Sequence, residues 1–206
     1  MSTEFCQSKT KENLMRAFAG EAMSCSRYKI AEKVCRQKQL FVLANLFKFT
    51  AAQEKAHGEI FYDHLKEGGC DLISINADYP AELSEEPLEL LKHSHEHEFK
   101  ENGEVYPAFA NDAREEGYAQ IAQDFENIAK IERAHGNRFK RFAQLMEEGR
   151  LFSAEVSEQW LCLNCGYIPE GTSAPETCPV CKQPQGWFIR LKQSPWELRP
   201  EGEAQC

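Results

Sequence analysis

Nowhere does the chain carry an apolar run approaching the roughly 20 residues needed to cross a bilayer. The longest candidate, Leu40 to Phe47, is broken by Asn45. Met1 to Thr10 lacks the basic start, apolar stretch and small-residue cleavage site of a secretory signal. These absences set the expectation of a cytoplasmic protein without a membrane partner, whose cysteines are reduced or metal-bound rather than paired as disulfides. The odd count of nine cysteines also suits a disulfide framework poorly. Basic charge is scarce: 24 Lys and Arg face 33 Asp and Glu, a formal charge of −9. No phosphate-binding patch is evident, which argues against nucleic acid as the main partner.

Proline is nearly missing from residues 10 to 148, where only Pro80, Pro87 and Pro107 occur. That stretch is rich in Ala, Glu, Lys, Leu and Phe with apolar residues at helical spacing, as in Phe41, Leu43, Ala44, Phe47, Ala51 and Ala52. Beyond Ser157 the composition changes: six of the nine prolines, all three tryptophans and five cysteines lie there. The chain is therefore expected to divide near Arg150–Glu158, into a helical domain over 1–150 and a small cysteine domain over 157–206.

The helical part contains an internal repeat. Glu54-Lys-Ala-His57-Gly-Glu-Ile-Phe61 recurs as Glu132-Arg-Ala-His135-Gly-Asn-Arg-Phe139. Glutamates sit upstream at matched distances: Glu21 is 33 positions before Glu54, and Glu98 is 34 before Glu132. If each pair shares one level on antiparallel helices, one turn falls near Gln37-Lys-Gln39 and the other near Glu115, with Gly117 just past it. Positions i and i+3 share a helix face, so Glu54 with His57, and Glu132 with His135, can approach one metal pair. A ferritin-like di-iron bundle takes one Glu from each of two helices and a Glu-x-x-His from each of the other two. Glu21, Glu98, Glu54/His57 and Glu132/His135 fill that plan. Glu101, one turn beyond Glu98, adds a seventh potential ligand whose counterpart in the first repeat is Ser24. Five carboxylates roughly neutralise two iron ions, a condition for burying them. Pro107 interrupts the third helix, and the Glu98–Glu132 spacing requires a kinked but continuous helix there.

In the C-terminal part, Cys162-Leu-Asn-Cys165-Gly-Tyr and Cys178-Pro-Val-Cys181 form two Cys-x-x-Cys knuckles able to hold one tetrahedral metal. Four thiolates suit zinc and iron alike; the attached carboxylate bundle favours iron. Gly166 is suited to the positive φ that turns backbone N–H groups toward sulfur. The run His93-Ser-His95-Glu-His97 reads as a polar helix start or a second metal site, with His97 four residues before Glu101. Cys6, Cys25, Cys35, Cys70 and Cys206 lack ligand spacing and read as small apolar or unpaired thiols.

With these motifs in place, the chain resembles the rubrerythrins over essentially its full length. The resemblance rests on Gly20-Glu21, Glu54-x-x-His57, Glu98-x-x-Glu101, Tyr106-Pro107, Glu132-x-x-His135 and the four C-terminal cysteines. It implies a mainly α protein: a ferritin-like four-helix bundle followed by a small rubredoxin-like β/loop domain with a four-cysteine iron. It further implies that Glu54 and Glu132 bridge two irons, with Glu21 on the first and Glu98 and His135 on the second. Glu101 and His57 would exchange on the first iron with redox state, and Tyr28 and Tyr106 would line the pocket. Trp160, Tyr167, Trp187 and Phe188 would shield the mononuclear iron. Two departures stand out: Lys182 replaces a small residue of many rubredoxins, and no histidine precedes Trp187 in Lys182-Gln-Pro-Gln-Gly-Trp187. The implied activity is reduction of hydrogen peroxide, with electrons from an external NAD(P)H-linked reductase or rubredoxin and a homodimer or larger homo-oligomer as the working unit. A ferroxidase or iron store, and a peroxide sensor with a structural zinc ribbon, are the competing readings.

Overall fold

The computed structural model describes residues 4–81 and 84–195. Its first part is four long helical rods: α1 (Lys9–Gln37), α2 (Phe41–Gly68), a composite rod of α3 (Pro87–Lys100) and α4 (Tyr106–Glu115), and α5 (Ala119–Glu147). The mainly α, four-helix expectation is met, and both tight turns fall where the glutamate spacings place them, at residues 38–40 and 116–118. Gly117 takes a φ of 85° at the second turn, a left-handed conformation open to glycine at little cost. The first helix starts where its local chemistry dictates. Ser8 caps it by accepting the Lys11 N–H at 3.1 Å. Glu116, at the opposite turn, accepts the Lys9 and Thr10 N–H groups, each at 2.8 Å. Donors that a helix start leaves unsatisfied are thus met by a distant side chain.

The third rod is continuous, but a π turn over Glu101–Val105 joins its two α segments. Glu98 precedes Tyr106 by eight positions, whereas Glu21 precedes Tyr28 by seven. A wide turn absorbs that one extra residue, and the Tyr106 N–H accordingly reaches back to the Glu101 carbonyl, five residues earlier. Pro107 then sits in the first turn of α4, where its missing N–H is not needed.

Apolar side chains fill the bundle at two levels. One cluster around Tyr28, Phe47, Leu91 and Phe139 lies toward the α1–α2 turn. The other, around Phe5, Leu14, Phe61, Tyr106 and Phe125, lies toward the opposite end. Each repeat thus contributes its terminal phenylalanine to a different plug. The glycine shared by the repeats permits close helix approach: a Cβ on Gly58 would come within 3.3 Å of the Glu21 Cβ, and one on Gly136 within 3.2 Å of the Glu98 Cβ and 2.5 Å of the Phe99 ring.

After α5 the chain enters a three-stranded antiparallel sheet of order β2-β1-β3, with β1 Ser153–Cys162, β2 Glu170–Ser173 and β3 Phe188–Arg190. In register, Glu158 faces Gly171 on one edge, and Cys162 faces Phe188 on the other. Regular structure therefore begins at Ser153, before the compositional change. This sheet sits on the α1–α2 turn. Trp187 stacks on Phe41 with ring centroids 4.6 Å apart, and Gly186 approaches the turn so closely that a Cβ there would lie 1.8 Å from the Gln39 carbonyl oxygen.

One expectation fails. Cys6 and Cys70 form a disulfide, with Cα atoms 5.7 Å apart. The N-terminal turn Phe5–Gln7 folds against the end of α2, with Phe5 fully buried beside Gly68, and this brings together thiols 64 positions apart. Cys25 and Cys35 are buried free thiols, and Cys206 lies outside the described residues.

Candidate metal centres

Between the two plugs, all four rods present acidic or imidazole side chains at one level. Glu21, Glu54, His57 and Glu132 offer ligand atoms within 4.8 Å of one another, and so do Glu54, Glu98, Glu132 and His135. Glu54 and Glu132 belong to both groups, so the arrangement is two cation-sized sites sharing two carboxylates. His57 Nδ1 lies 2.9 Å from Glu132 and 3.7 Å from Glu21. His135 Nδ1 lies 2.8 Å from Glu132, 2.9 Å from Glu54 and 3.5 Å from Glu98. Despite these distances, oxygens of Glu21, Glu54, Glu98 and Glu132 and both Nδ1 atoms are buried without a hydrogen-bond partner. Groups so costly to bury unpaired, gathered into two adjoining sites, fit a pair of hard cations.

The electrostatics agree. Burial raises the pKa of Glu54 well above its ordinary value, and neighbouring Glu98 and Glu132 add to the rise. Burial likewise lifts Glu98 to about 8, against the opposing pull of His135. Glu132 goes the other way, to about 2, because His135 and His57 outweigh its burial. Burial lowers the two imidazoles, but their carboxylate neighbours prevail and carry His57 to about 10 and His135 to about 9. A box holding more carboxylate than imidazole in low dielectric is stabilised by added positive charge.

Tyr28 donates a hydrogen bond to Glu98, and Tyr106 donates one to Glu21. Each phenol is pushed well above its ordinary pKa, by burial first and then by nearby carboxylates. The bonds cross between repeats, so each half orients the other's upstream glutamate. Glu101 stands apart, in neither four-residue group. It lines a cavity of about 470 Å³ with Gly20, Tyr79, Pro80, His97 and Tyr106. Its pKa lies well above ordinary, through burial and the charges of Glu21, Glu98 and Glu132. Of the histidine run, His95 bonds the Gly136 carbonyl at 3.0 Å and His97 borders the cavity. Among the described residues the three do not gather into a metal-binding group.

The four cysteines of the sheet domain also gather within 4.8 Å. Cys162 and Cys181 Sγ are 3.7 Å apart, as are Cys165 and Cys178. A tetrahedron of thiolates about 2.3 Å from a metal has edges of roughly 3.8 Å, so the spacing fits. Gly166 has a φ of 79°, and Lys182 adopts a similar 61° at its equivalent place in the second knuckle. That left-handed conformation explains why a small residue is common there. The N–H groups of Tyr167 and Gln183 face the Cys165 and Cys181 sulfurs. Trp160 and Phe188 are buried around the cluster, with Tyr167 and Trp187 packed at its edge.

Comparison with known proteins agrees with this pairing of centres. The family description "Rubrerythrin" matches residues 12–143, and "Rubrerythrin, rubredoxin-like domain" matches residues 160–189. Rubrerythrin of Clostridium perfringens is 42% identical over 187 residues, covering 90% of this chain and 96% of its own length. Rubrerythrin of Nitratidesulfovibrio vulgaris is 38% identical over 184 residues, covering 89% and 95%. Among solved structures, fully reduced, all-ferrous nigerythrin matches with a TM-score of 0.60 at 28% identity, over 89% of this chain and 90% of its own. A bacterioferritin from Desulfovibrio desulfuricans, at 21% identity and a TM-score of 0.65 over 73% of this chain, shares the bundle fold. With a carboxylate–imidazole box and a four-cysteine knuckle joined in one polypeptide, the chain belongs to the rubrerythrin family.

Proposed function

We propose that this protein is a peroxidase that reduces hydrogen peroxide to water. The supporting observation is the joining of a two-cation carboxylate box to a four-thiolate site in one chain. An iron store has little need for a one-electron feed; a reductase of peroxide needs two electrons per turnover. Glu21, Glu54, His57 and Glu132 would hold one iron, Glu54, Glu98, Glu132 and His135 the other, and Cys162, Cys165, Cys178 and Cys181 a mononuclear iron. Bound there, an iron pair would supply the two electrons that cleave an O–O bond, and a thiolate-held iron would serve one-electron transfer.

The protein's own groups supply shape and protons. The cavity bordered by Glu101 and by Tyr106, whose hydroxyl bonds Glu21 of the box, would admit peroxide. Burial and neighbouring carboxylates push the Glu101 carboxyl above its ordinary range, so it would relay one of the two protons that reduction to two waters needs, solvent supplying the other; its place at the cavity supports that role. Family resemblance makes it the exchange partner of His57, which here stands with the box while Glu101 stands outside it. Tyr28 and Tyr106 would keep Glu98 and Glu21 oriented through their hydroxyl bonds.

Electron entry is proposed to cross between subunits. The sheet domain rests on the turn before Phe41, thirteen positions from Glu54 along α2, or roughly 20 Å of helix rise. A second copy packed head-to-tail would bring its four-cysteine site closer, twice over in a symmetric dimer. The external donor would be a reductase linked to NAD(P)H or a rubredoxin.

The test is direct. Protein loaded with about three irons per chain, reduced without oxygen and mixed with peroxide, should regain its red thiolate-iron bands as peroxide disappears. Glu101→Ala should keep its irons and slow that step. Subunits lacking Cys162 and Cys178, refolded with subunits lacking Glu54 and Glu132, should recover donor-dependent turnover as mixed dimers. Peroxide left unconsumed by the reduced protein, or iron uptake far above three per chain, would overturn the peroxidase reading.

A further inference from the structure

The two imidazoles of the box are held differently. His135 turns Nδ1 to the carboxylates and its other nitrogen, Nε2, to the side-chain oxygen of Gln53 at 3.1 Å. The same oxygen accepts from Arg138 Nη1 at 3.4 Å. Arginine has no acceptor, so its contact fixes which end of the Gln53 amide faces inward. With the oxygen there, the His135 Nε2 must carry the hydrogen, leaving Nδ1 for the cation. Arg138 in turn lies over the Phe49 ring, 5.4 Å from its centroid. His57 has no hydrogen bond from Nε2 to any described residue, although its Nδ1 makes the matching approach to Glu132.

The difference is written in the repeat. A shift of 78 positions carries Glu54 to Glu132 and His57 to His135. The same shift carries Gln53 to Ile131, and Ile60 to Arg138. Around His135 the opposite repeat supplies an amide acceptor and its own repeat a guanidinium; at the matching positions around His57 both are isoleucines, which cannot accept or donate. Both isoleucines are partly exposed, so packing does not demand them.

We infer that Gln53, braced by Arg138, is a positioning residue that fixes the tautomer and orientation of His135, and that the lack of an equivalent leaves His57 the looser of the two imidazoles. A histidine that ligates a metal through one nitrogen is oriented by what its other nitrogen bonds, and losing that partner typically weakens metal binding 10- to 100-fold. The inference rests on the metal-box reading but not on peroxide chemistry.

Its test is metal affinity, read without turnover. Metal-free protein is titrated with cobalt(II) against a competing chelator, and the ligand-field spectrum is followed. Gln53→Leu removes the acceptor at similar size, and Gln53→Glu restores one. We expect Gln53→Leu to bind one of its two box cobalt ions about 10- to 100-fold more weakly, with an altered spectrum for that ion, while Gln53→Glu stays near wild type. Thermal unfolding of the metal-free variants should be alike, which separates positioning from folding. Wild-type affinity for both ions in Gln53→Leu overturns the inference, as does a Gln53→Glu variant as weak as Gln53→Leu. If the affinities split as expected and the iron-loaded protein consumes no peroxide, the inference stands and the peroxidase reading falls.

Discussion

Removing Gly103 tests whether the π turn is an inserted residue with a purpose. In an α-helix each residue turns about 100°. Seven residues from Glu21 to Tyr28 therefore return the side chain to within about 20° of its starting face, whereas eight from Glu98 to Tyr106 would overshoot by about 80°. The π turn absorbs the difference. Deleting Gly103, whose α-carbon faces open space, should convert the turn to α-helix and keep Tyr106 opposite Glu21. The proline then loses its place in a first turn. Its ring would meet the carbonyl four residues back, at a cost of about 3 kcal/mol, or roughly 6–12 °C in melting temperature for a protein of this size. Adding Pro107→Ala to the deletion should recover that loss. Calorimetry on the metal-free proteins measures both steps. In the repaired deletion Glu101 no longer begins a wide turn, and peroxide reduction should slow while two box metals still bind. If the repaired deletion remains unfolded, the phase argument is wrong. If it turns over peroxide at the wild-type rate, the π turn has no part in presenting Glu101.

Glu116→Ala should destabilise the bundle by about 1 kcal/mol, the usual worth of capping a helix start. Bonds from Thr10 and Lys9 outweigh slight burial and lower its pKa, so this contribution is whole above the unfolded carboxylate range and lost as pH falls through the lowered folded value. Melting curves of both proteins should converge in acid. Gly186→Ala, which drives a Cβ into the Gln39 carbonyl, should undock the sheet domain, raising proteolysis near residues 148–152 and changing Trp187 emission. Denatured, metal-stripped protein should show seven reactive thiols, because two of the nine cysteines are bonded to each other, and nine after reduction; nine at the outset would refute the Cys6–Cys70 bond.

Spacing made much of the box legible. Glu-x-x-His on a helix has one geometric meaning, and repeating it with matched upstream glutamates places four rods and two turns. The π turn also left a trace, in spacings of 33 and 34 where symmetry asks for equal values. Gln53 was harder to see: a polar residue beside a ligand looks like surface until the rods are assembled. The glycine after each histidine was visible as pattern, but only the approach of Glu21 and Glu98 gives it a reason. The Cys6–Cys70 bond was hidden, because nothing local marks two cysteines 64 residues apart as neighbours. Sulfur spacing located the sheet domain, while its first strand begins before any cysteine or proline announces it.

That disulfide also changes the chain that has to fold. It closes residues 6 to 70 into a ring, and in the chain-entropy account a ring of that size removes about 4 kcal/mol of freedom from the unfolded ensemble. The ring contains α1 and α2 entire, and with them Glu21, Glu54 and His57. Half of the box is thus tethered before the third and fourth rods arrive, and the remaining search is for two partners rather than three. Reduction of that one bond would return the lost freedom to the unfolded chain, so α1 and α2 would have further to search before they meet.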